Sequence, residues 1–259
     1  MNVHQKKENF VQLNRPIQGL WDARGEKNLE ALPDQNQKKL EEGILLQYIK
    51  KHMHVLDVGC GNGQAASQIA KVAKKVQGID FSRAILEKAR KRKTKNLEFA
   101  FGDVTGLQFK DAAFDLVLSE RCLINLSDLN AMAKGLLEIR RVLKRGGLYL
   151  MLETSKQGIE SLSRYRRMLK LSAIAVPWHN IPIDEDWLNK TIKGKFKLEE
   201  TVCFGTYFLI SRIVHPLLVR PQEPKFDAKI NAVALAIAQK FPALNNEMSQ
   251  IKIFVLRAV

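Results

Sequence analysis

Apolar residues along this chain fall into short unbroken runs, separated by longer stretches in which they recur every three or four positions. The runs His54–Val58, Val76–Asp80, Leu97–Phe101, Phe114–Leu118 and Leu148–Leu152 are each five residues long, the length of a buried strand. Helical spacing fills the gaps. It covers Gln64–Val72, a segment ending near Arg92 with Ser82 as its N-cap, and a face made by Leu129, Ala133, Leu136, Arg140 and Leu143. Ser127 is expected to cap that last helix and "KRGG" at 144–147 to stop it. Such alternation predicts parallel strands joined by right-handed helical crossovers, an α/β doubly wound sheet with helices on both faces.

The pattern loosens on both sides of this block. The first 33 residues are polar with isolated aromatics, Phe10 and Trp21, and lead into an amphipathic helix bearing Leu40, Ile44, Leu45, Tyr48 and Ile49. Past the fifth run, Ile159–Ala175 reads as helix, ended by the proline-bounded loop "VPWHNIP" at 176–182. Phe196–Phe204 and Ile251–Arg257 read as two further strands, with an insertion over 205–249 that holds an alanine-rich helix around Ala232–Lys240. The expected organisation is an N-terminal segment over 1–39 that caps a site, and one domain over 40–259. Its insertions 153–195 and 205–249 are expected to build the outer part of that site.

At 259 residues and 46% apolar content the chain can bury a substantial core. Three cysteines, Cys60, Cys122 and Cys203, lack CxxC spacing, which argues against a zinc site or a disulfide framework and for a reducing, cytoplasmic setting. No metal site is expected. No stretch approaches the roughly 20 apolar residues that span a bilayer, and "MNVHQKKENF" has no apolar core of a secretory signal.

The candidate chemistry centres on "VLDVGCGNG" at 55–63, where a strand breaks into three alternating glycines. A triphosphate loop needs a lysine and a hydroxyl after its last glycine, and "GNGQAAS" supplies neither in place. The dinucleotide fingerprint fails at its sixth position, which is Gln64. Asp57, two residues before the first glycine, would repel a pyrophosphate and attract a ligand with a cationic amine. Asp80 ends the second strand 23 residues later, where an acid can accept both ribose hydroxyls. Asp103 follows the third strand, placed to accept an adenine amino group while Val104 offers its backbone N–H. Three acids at three successive strand ends converge on one crevice and point to S-adenosylmethionine.

These stretches, with "GIDFS", "FGDV", "FDLVLSE" and "VLKRGGLYLMLE", resemble the successive motifs of class I S-adenosylmethionine-dependent methyltransferases. The resemblance is close over residues 40–153 and loose over 196–204 and 251–257. It implies a mostly parallel seven-stranded sheet, with the third strand at one edge and an antiparallel last strand near the other. It implies that S-adenosylmethionine binds and leaves as S-adenosylhomocysteine. Asp57 and the loop Gly59, Cys60, Gly61 and Gly63 would hold the methionine part, Asp80 the ribose, Phe81 an adenine face, and Asp103 with Val104 the adenine edge. Ser119 and Glu120 would stand where cofactor and acceptor meet.

Methyl transfer from a sulfonium asks a protein mainly for positioning, plus a base when the acceptor is a hydroxyl. His179 and Glu120 are the candidate bases. A lone histidine is more often packed, and Glu120 beside Arg121 reads equally as a loop anchor, so the choice stays open. Arg121, Asn125, Glu153, Arg164, Arg167, Trp178, Asn180 and Tyr207 are the candidates for holding the acceptor. His215, in "RIVHPLLV", ranks below His179 as a base, and His52 and His54, before the first strand, are set aside.

Net charge is +15, and ten basic residues against two acidic ones lie between Lys71 and Lys95. That invites an RNA acceptor. In a doubly wound sheet, however, Lys71–Lys75 and Arg90–Lys95 fall at the amino-terminal edge of the strands, away from the crevice. A solvated basic face or peripheral contact with an anionic membrane explains the charge as well. The aromatic insertions favour a small-molecule or glycan-type acceptor, methylated on oxygen. RNA methylation and a non-catalytic cofactor-binding protein are the alternatives.

Overall fold

The computed structural model describes residues 17–27, 32–242 and 244–259. The strands are β1 (His54–Val58), β2 (Lys75–Asp80), β3 (Leu97–Phe101), β4 (Phe114–Glu120), β5 (Leu143–Thr154), β6 (Phe196–Cys203) and β7 (Ile251–Ala258). They form one sheet in the order β3-β2-β1-β4-β5-β7-β6. Only β7 runs antiparallel, against both β5 and β6. Strand order reverses between β1 and β4, so the crevice for a ligand lies outside the carboxyl ends of those two strands.

Side chains of successive strand residues alternate between two cores, as the pleat requires. On one face, Val117, Tyr149 and Leu256 pack with Leu136 and Ile139 of α5 (Leu129–Val142) and Leu188 of α7 (Glu185–Ile192). On the other, Leu116, Leu118, Leu150 and Val255 meet a larger set of helices. Those are α2 (Gln35–Leu45), α3 (Gln64–Ile69), α6 (Lys156–Met168), α8 (Gly205–Leu209) and α10 (Lys229–Lys240). Residues 205–249 therefore cover the sheet. No helix among the described residues is long and apolar enough to cross a membrane.

Three boundaries differ from the sequence reading, each for a local reason. Asp128, not Ser127, caps α5: its carboxylate accepts the Ala131 N–H at 2.8 Å. "KRGG" does not separate helix from strand, because β5 already begins at Leu143, paired with Phe114, and a register shift absorbs the glycines. Helix α6 starts at Lys156 under a Ser155 cap and stops at Met168, well short of Ala175. It closes through Lys170, whose φ of 56° puts it in the left-handed region. The Leu171 N–H then reaches the Arg166 carbonyl and the Lys170 N–H the Arg167 carbonyl, which is a Schellman closure. Glycine is the usual residue there, so a lysine gave no stop signal.

The polar N-terminal stretch also contains a helix, α1, over residues 17–26. The part of the expected capping segment over 1–16 and 28–31 lies outside the described residues.

Candidate functional site

The glycine loop leaves β1 and folds across the end of β2. The N–H groups of Gly59 and Cys60 both donate to the Ile79 carbonyl, at 2.8 and 2.9 Å. Two of its glycines are sterically required as well as left-handed. A Cβ on Gly59 would lie 2.8 Å from the Cys122 sulfur, and one on Gly63 would lie 2.6 Å from the Phe99 ring. Asp80 then ties loop to helix. Its Oδ2 accepts the Gly61 N–H at 2.9 Å and its Oδ1 the Ser82 N–H at 2.8 Å, where α4 (Arg83–Arg90) begins. A carboxylate has about four acceptor positions, so each oxygen keeps one for a ligand hydroxyl.

Helix α1 is stapled over this loop. Ser82 Oγ donates to Asp22 at 2.5 Å, Gln18 donates to the Phe81 carbonyl at 3.0 Å, and Lys88 donates to the Gly25 carbonyl. Beneath α1 lies a cavity of about 510 Å³. Asp57, Gly59, Cys60, Gly61 and Asp80 form its floor side, with Glu120, Arg121 and Asn125 from the loop after β4. Trp21, Arg24, Leu32, Pro177, His179 and Asn180 complete the wall. A small annex continues past Phe81 and is lined by Gly102, Asp103, Val104 and Leu126. Asp103 Oδ1 accepts both the N–H and the hydroxyl of Thr105 at 2.8 Å.

Three carboxyl groups share the cavity, and all bind protons more tightly than usual. Asp57 is pushed well up by burial, then by the charges of Glu120 and Asp80. Glu120 is raised to about 7 by burial, with Arg121 pulling the other way. Asp80 is raised by burial against the hydrogen bonds from Ser82 and Gly61. Asp57 Oδ2 and Glu120 Oε1 are buried without a hydrogen-bond partner among the described residues. A buried acid in that condition is stabilised by a cation. The ammonium and sulfonium of S-adenosylmethionine fit this set of carboxylate acceptors, and a pyrophosphate does not.

His179 stands on the opposite wall, edge-on to Trp21 at 6.1 Å and to Trp178 at 5.4 Å between ring centres. Its Nδ1 is buried without a hydrogen-bond partner among the described residues. Burial, then the nearby Arg24, lowers its pKa from 6.5, so the ring is neutral near pH 7. Arg121 is held by both oxygens of Glu41, at 3.1 and 3.0 Å, and by Glu120 at 3.5 Å. Its φ of 52° is what turns it toward α2. Asn125 donates to the Arg121 carbonyl at 2.6 Å.

Several expected site residues lie elsewhere. Glu153 is fully buried under the loop after β4, accepting the N–H groups of Cys122 and Leu123 at 3.0 and 2.8 Å. It anchors that loop and does not line the cavity. Ser119 is buried against the Tyr149 hydroxyl at 2.7 Å. The Tyr207 hydroxyl donates to Asp34 at 2.6 Å, fixing the start of α2. Trp178 is 75% exposed at the tip of a turn that the Asn180 N–H closes on the Pro177 carbonyl at 2.9 Å, while Pro177 and His179 on either side of it line the cavity. Arg164 and Arg167 are exposed on α6, and Arg164 pairs with Glu247 at 3.5 Å. Among the described residues, none of 205–249 lines the cavity.

The sequence reading missed Trp21 as a wall, although it had noted it as an isolated aromatic. It also missed Arg24, Lys38, Gln64 and Lys88, which carry no signal beyond surface-like charge or polarity. The basic cluster is split. Lys75 stands at the amino-terminal edge beside His54, and Asn96 bonds the Ala70 and Ala73 carbonyls there. Lys88, in contrast, lines the cavity, and Arg92 donates to the Asn62 carbonyl of the glycine loop at 3.1 Å.

Comparison with known proteins agrees with this geometry. Residues 49–215 match a family described as a methyltransferase domain. An uncharacterized methyltransferase of Schizosaccharomyces pombe is 35% identical over 115 residues, 40% of each chain. The demethylmenaquinone methyltransferase of Staphylococcus aureus is 38% identical over 113 residues, 42% of this chain and 46% of that protein. The chain thus spans less than half the length of these curated relatives. Among solved structures, the protein bound to a methyltransferase activator of Haloferax volcanii superposes with a TM-score of 0.60. It has 16% identity and covers 92% of this chain and 96% of that one. The N-methyltransferase NodS of Bradyrhizobium japonicum, in complex with S-adenosyl-L-homocysteine, gives 0.51 at 14% identity, over 84% and 86%. At those identities the likeness is one of fold.

Proposed function

The chain belongs to the class I S-adenosylmethionine-dependent methyltransferase family, and we propose that it methylates an oxygen of a small-molecule or glycan-type acceptor lodged between Trp21, Glu120 and His179. The observation that carries the cofactor side is the trio of raised carboxyl groups around one cavity, two of them with a partnerless oxygen. S-adenosylmethionine, when bound, supplies a methyl group activated by its sulfonium. Asp57 and Glu120 take the cofactor's ammonium, Asp80 takes the ribose hydroxyls through its two remaining acceptor positions, and Phe81 with Asp103 and Val104 receives the adenine in the annex.

On the acceptor side, neutral His179 takes the hydroxyl proton at Nδ1. Trp21 holds that ring edge-on, and α1 roofs the cavity. Glu120 is the weaker candidate for base, because its proton affinity is bound up with the Glu41–Arg121 pair beside it and its charge already bears on Asp57. Asn180 and Asn125, each with a buried Oδ1 that no donor among the described residues reaches, stand in the cavity wall to orient an acceptor. A small acceptor suits a cavity of this size, and the demethylmenaquinone methyltransferase among the relatives carries a small-molecule acceptor in its name. The test is transfer of labelled methyl from S-adenosylmethionine to a panel of hydroxyl-bearing small molecules and glycans, alongside RNA. Label appearing in RNA alone would overturn the acceptor class. Tighter binding of NAD than of S-adenosylhomocysteine would overturn the cofactor assignment.

A further inference from the structure

The C-terminal end of α6, the segment after it and the helix α9 (His215–Val219) form one surface. Arg166 donates to the carbonyls of Ser172 and Arg212, and Arg220 donates to the carbonyl of Leu169, which ties the three pieces together. Arg212 in turn lies 5.2 Å from the centre of the Phe226 ring. On this surface Met168 is 74% and Leu218 70% exposed, with Leu169 and Phe226 more than a third exposed. Contiguous exposed apolar side chains rimmed by polar groups mark an interaction site.

Charge narrows the occupant. Residues 164–178 and 212–229 carry eight lysines and arginines against two acids, Glu223 and Asp227. Arg212 is paired with Asp34 and Arg164 with Glu247, and a second copy meeting this face symmetrically would still set the remaining six cations against six. A nucleic acid would use the cations and leave the apolar side chains in water. An anionic bilayer satisfies both, with headgroups for the basic rim and the acyl boundary for methionine, leucine and phenylalanine. The same segment continues through Val176 and Trp178, both exposed, into Pro177 and His179 of the cavity wall. The surface thus ends at the mouth of the site.

We propose that this face, centred on Met168, Leu218 and Phe226 within a basic rim, docks the protein on an anionic lipid surface and presents the cavity mouth to it. Docking stands independently of the acceptor's identity. If the methyltransferase reading holds, it implies an amphiphilic acceptor that reaches His179 from the bilayer without crossing bulk water.

The test is co-sedimentation with vesicles of phosphatidylglycerol mixed into phosphatidylcholine, and with phosphatidylcholine alone. The protein should bind the first and scarcely the second, with binding lost in high salt. Met168→Ser with Leu218→Ser should weaken partitioning on the order of tenfold or more. Arg167→Gln with Lys170→Asn should weaken it by about 25-fold, about fivefold for each charge removed near the surface. Asparagine is chosen because it tolerates the left-handed backbone of Lys170. All four residues are exposed, and an unchanged melting temperature and S-adenosylhomocysteine affinity would certify the fold. Wild-type failure to bind anionic vesicles would overturn the proposal. So would apolar variants that bind them as well as wild type, or light scattering showing a dimer that Met168→Ser with Leu218→Ser dissolves.

Discussion

Asp57 and Glu120 face the same cavity from adjacent strands, each with a buried carboxylate oxygen that no hydrogen-bond donor among the described residues reaches. Burial raises the proton affinity of both, and the Glu120 charge raises that of Asp57 further, so neither is comfortable as an anion until a cation arrives.

That relationship sets a pH dependence. Glu120 has a folded pKa of about 7 against an ordinary 4.5, so the folded state binds the proton more tightly than the unfolded state. The stabilisation is full below the unfolded value and is lost as pH rises through 7. Glu153, also raised to about 7, adds in the same direction. The ligand-free protein should therefore melt several degrees lower at pH 8 than at pH 5.5. Glu120→Gln should remove part of that slope while weakening S-adenosylhomocysteine binding. Thermal melts across pH with and without S-adenosylhomocysteine check both, and a flat profile would remove Glu120 from the charge cluster.

Asp80 serves both loop and ligand, and its replacement should show both losses. Asp80→Ala should weaken S-adenosylhomocysteine binding by about 1.5–3 kcal/mol, the range for a hydrogen bond to a charged group. It also removes the acceptor for Gly61 and Ser82 N–H groups. Calorimetry that finds affinity unchanged, with circular dichroism intact, would take Asp80 out of the site.

His179→Ala should lower turnover on the order of 10²–10⁴-fold while leaving cofactor affinity alone. Because the imidazole pKa is lowered from 6.5, the acid-side fall of wild-type activity should lie below that value and vanish in the variant. A pH profile of kcat with the same acid limb in both proteins would move the base elsewhere.

The α1 roof can be loosened without touching the cavity floor. Asp22→Ala removes the partner of Ser82 Oγ and of the Ala84 N–H. Cofactor release should quicken several-fold, with the melting temperature of the ligand-free protein nearly unchanged. Stopped-flow displacement of bound S-adenosylhomocysteine reads this, and an unaltered off-rate would mean that α1 does not gate the site.

The sheet and the cofactor floor were legible because their signals are local. Five buried runs, three glycines and three acids at strand ends are fixed by chain geometry alone, and Asp57, Asp80 and Asp103 lie at the cavity or its annex as their positions imply. The acceptor wall was not legible, because it is assembled from segments distant in sequence. Trp21 and His179 meet across 158 positions, and nothing periodic marks either. Glu153 misled because a carboxylate at a strand end can face a ligand or the backbone of the next loop, and only packing decides. Lys170 misled because a left-handed helix stop was filled by a residue that ordinarily avoids that backbone.

The Glu41–Arg121 pair bears on where this catalytic unit begins. The family match starts at residue 49, yet the partner of the cavity-wall arginine sits eight positions earlier, fully buried on α2. A fragment cut at residue 49 would keep every strand and every recognisable motif while losing the bidentate partner of Arg121 and the core side chains Leu40 and Leu45 of α2. Losing two buried leucines alone costs about 2–5 kcal/mol each, much of the stability of an ordinary domain. Swapping this methyltransferase core between proteins at its motif boundary should therefore yield insoluble or ligand-blind chimeras, and moving the junction ahead of Asp34 should restore them. The unit of inheritance visible in the motifs is smaller than the unit that folds.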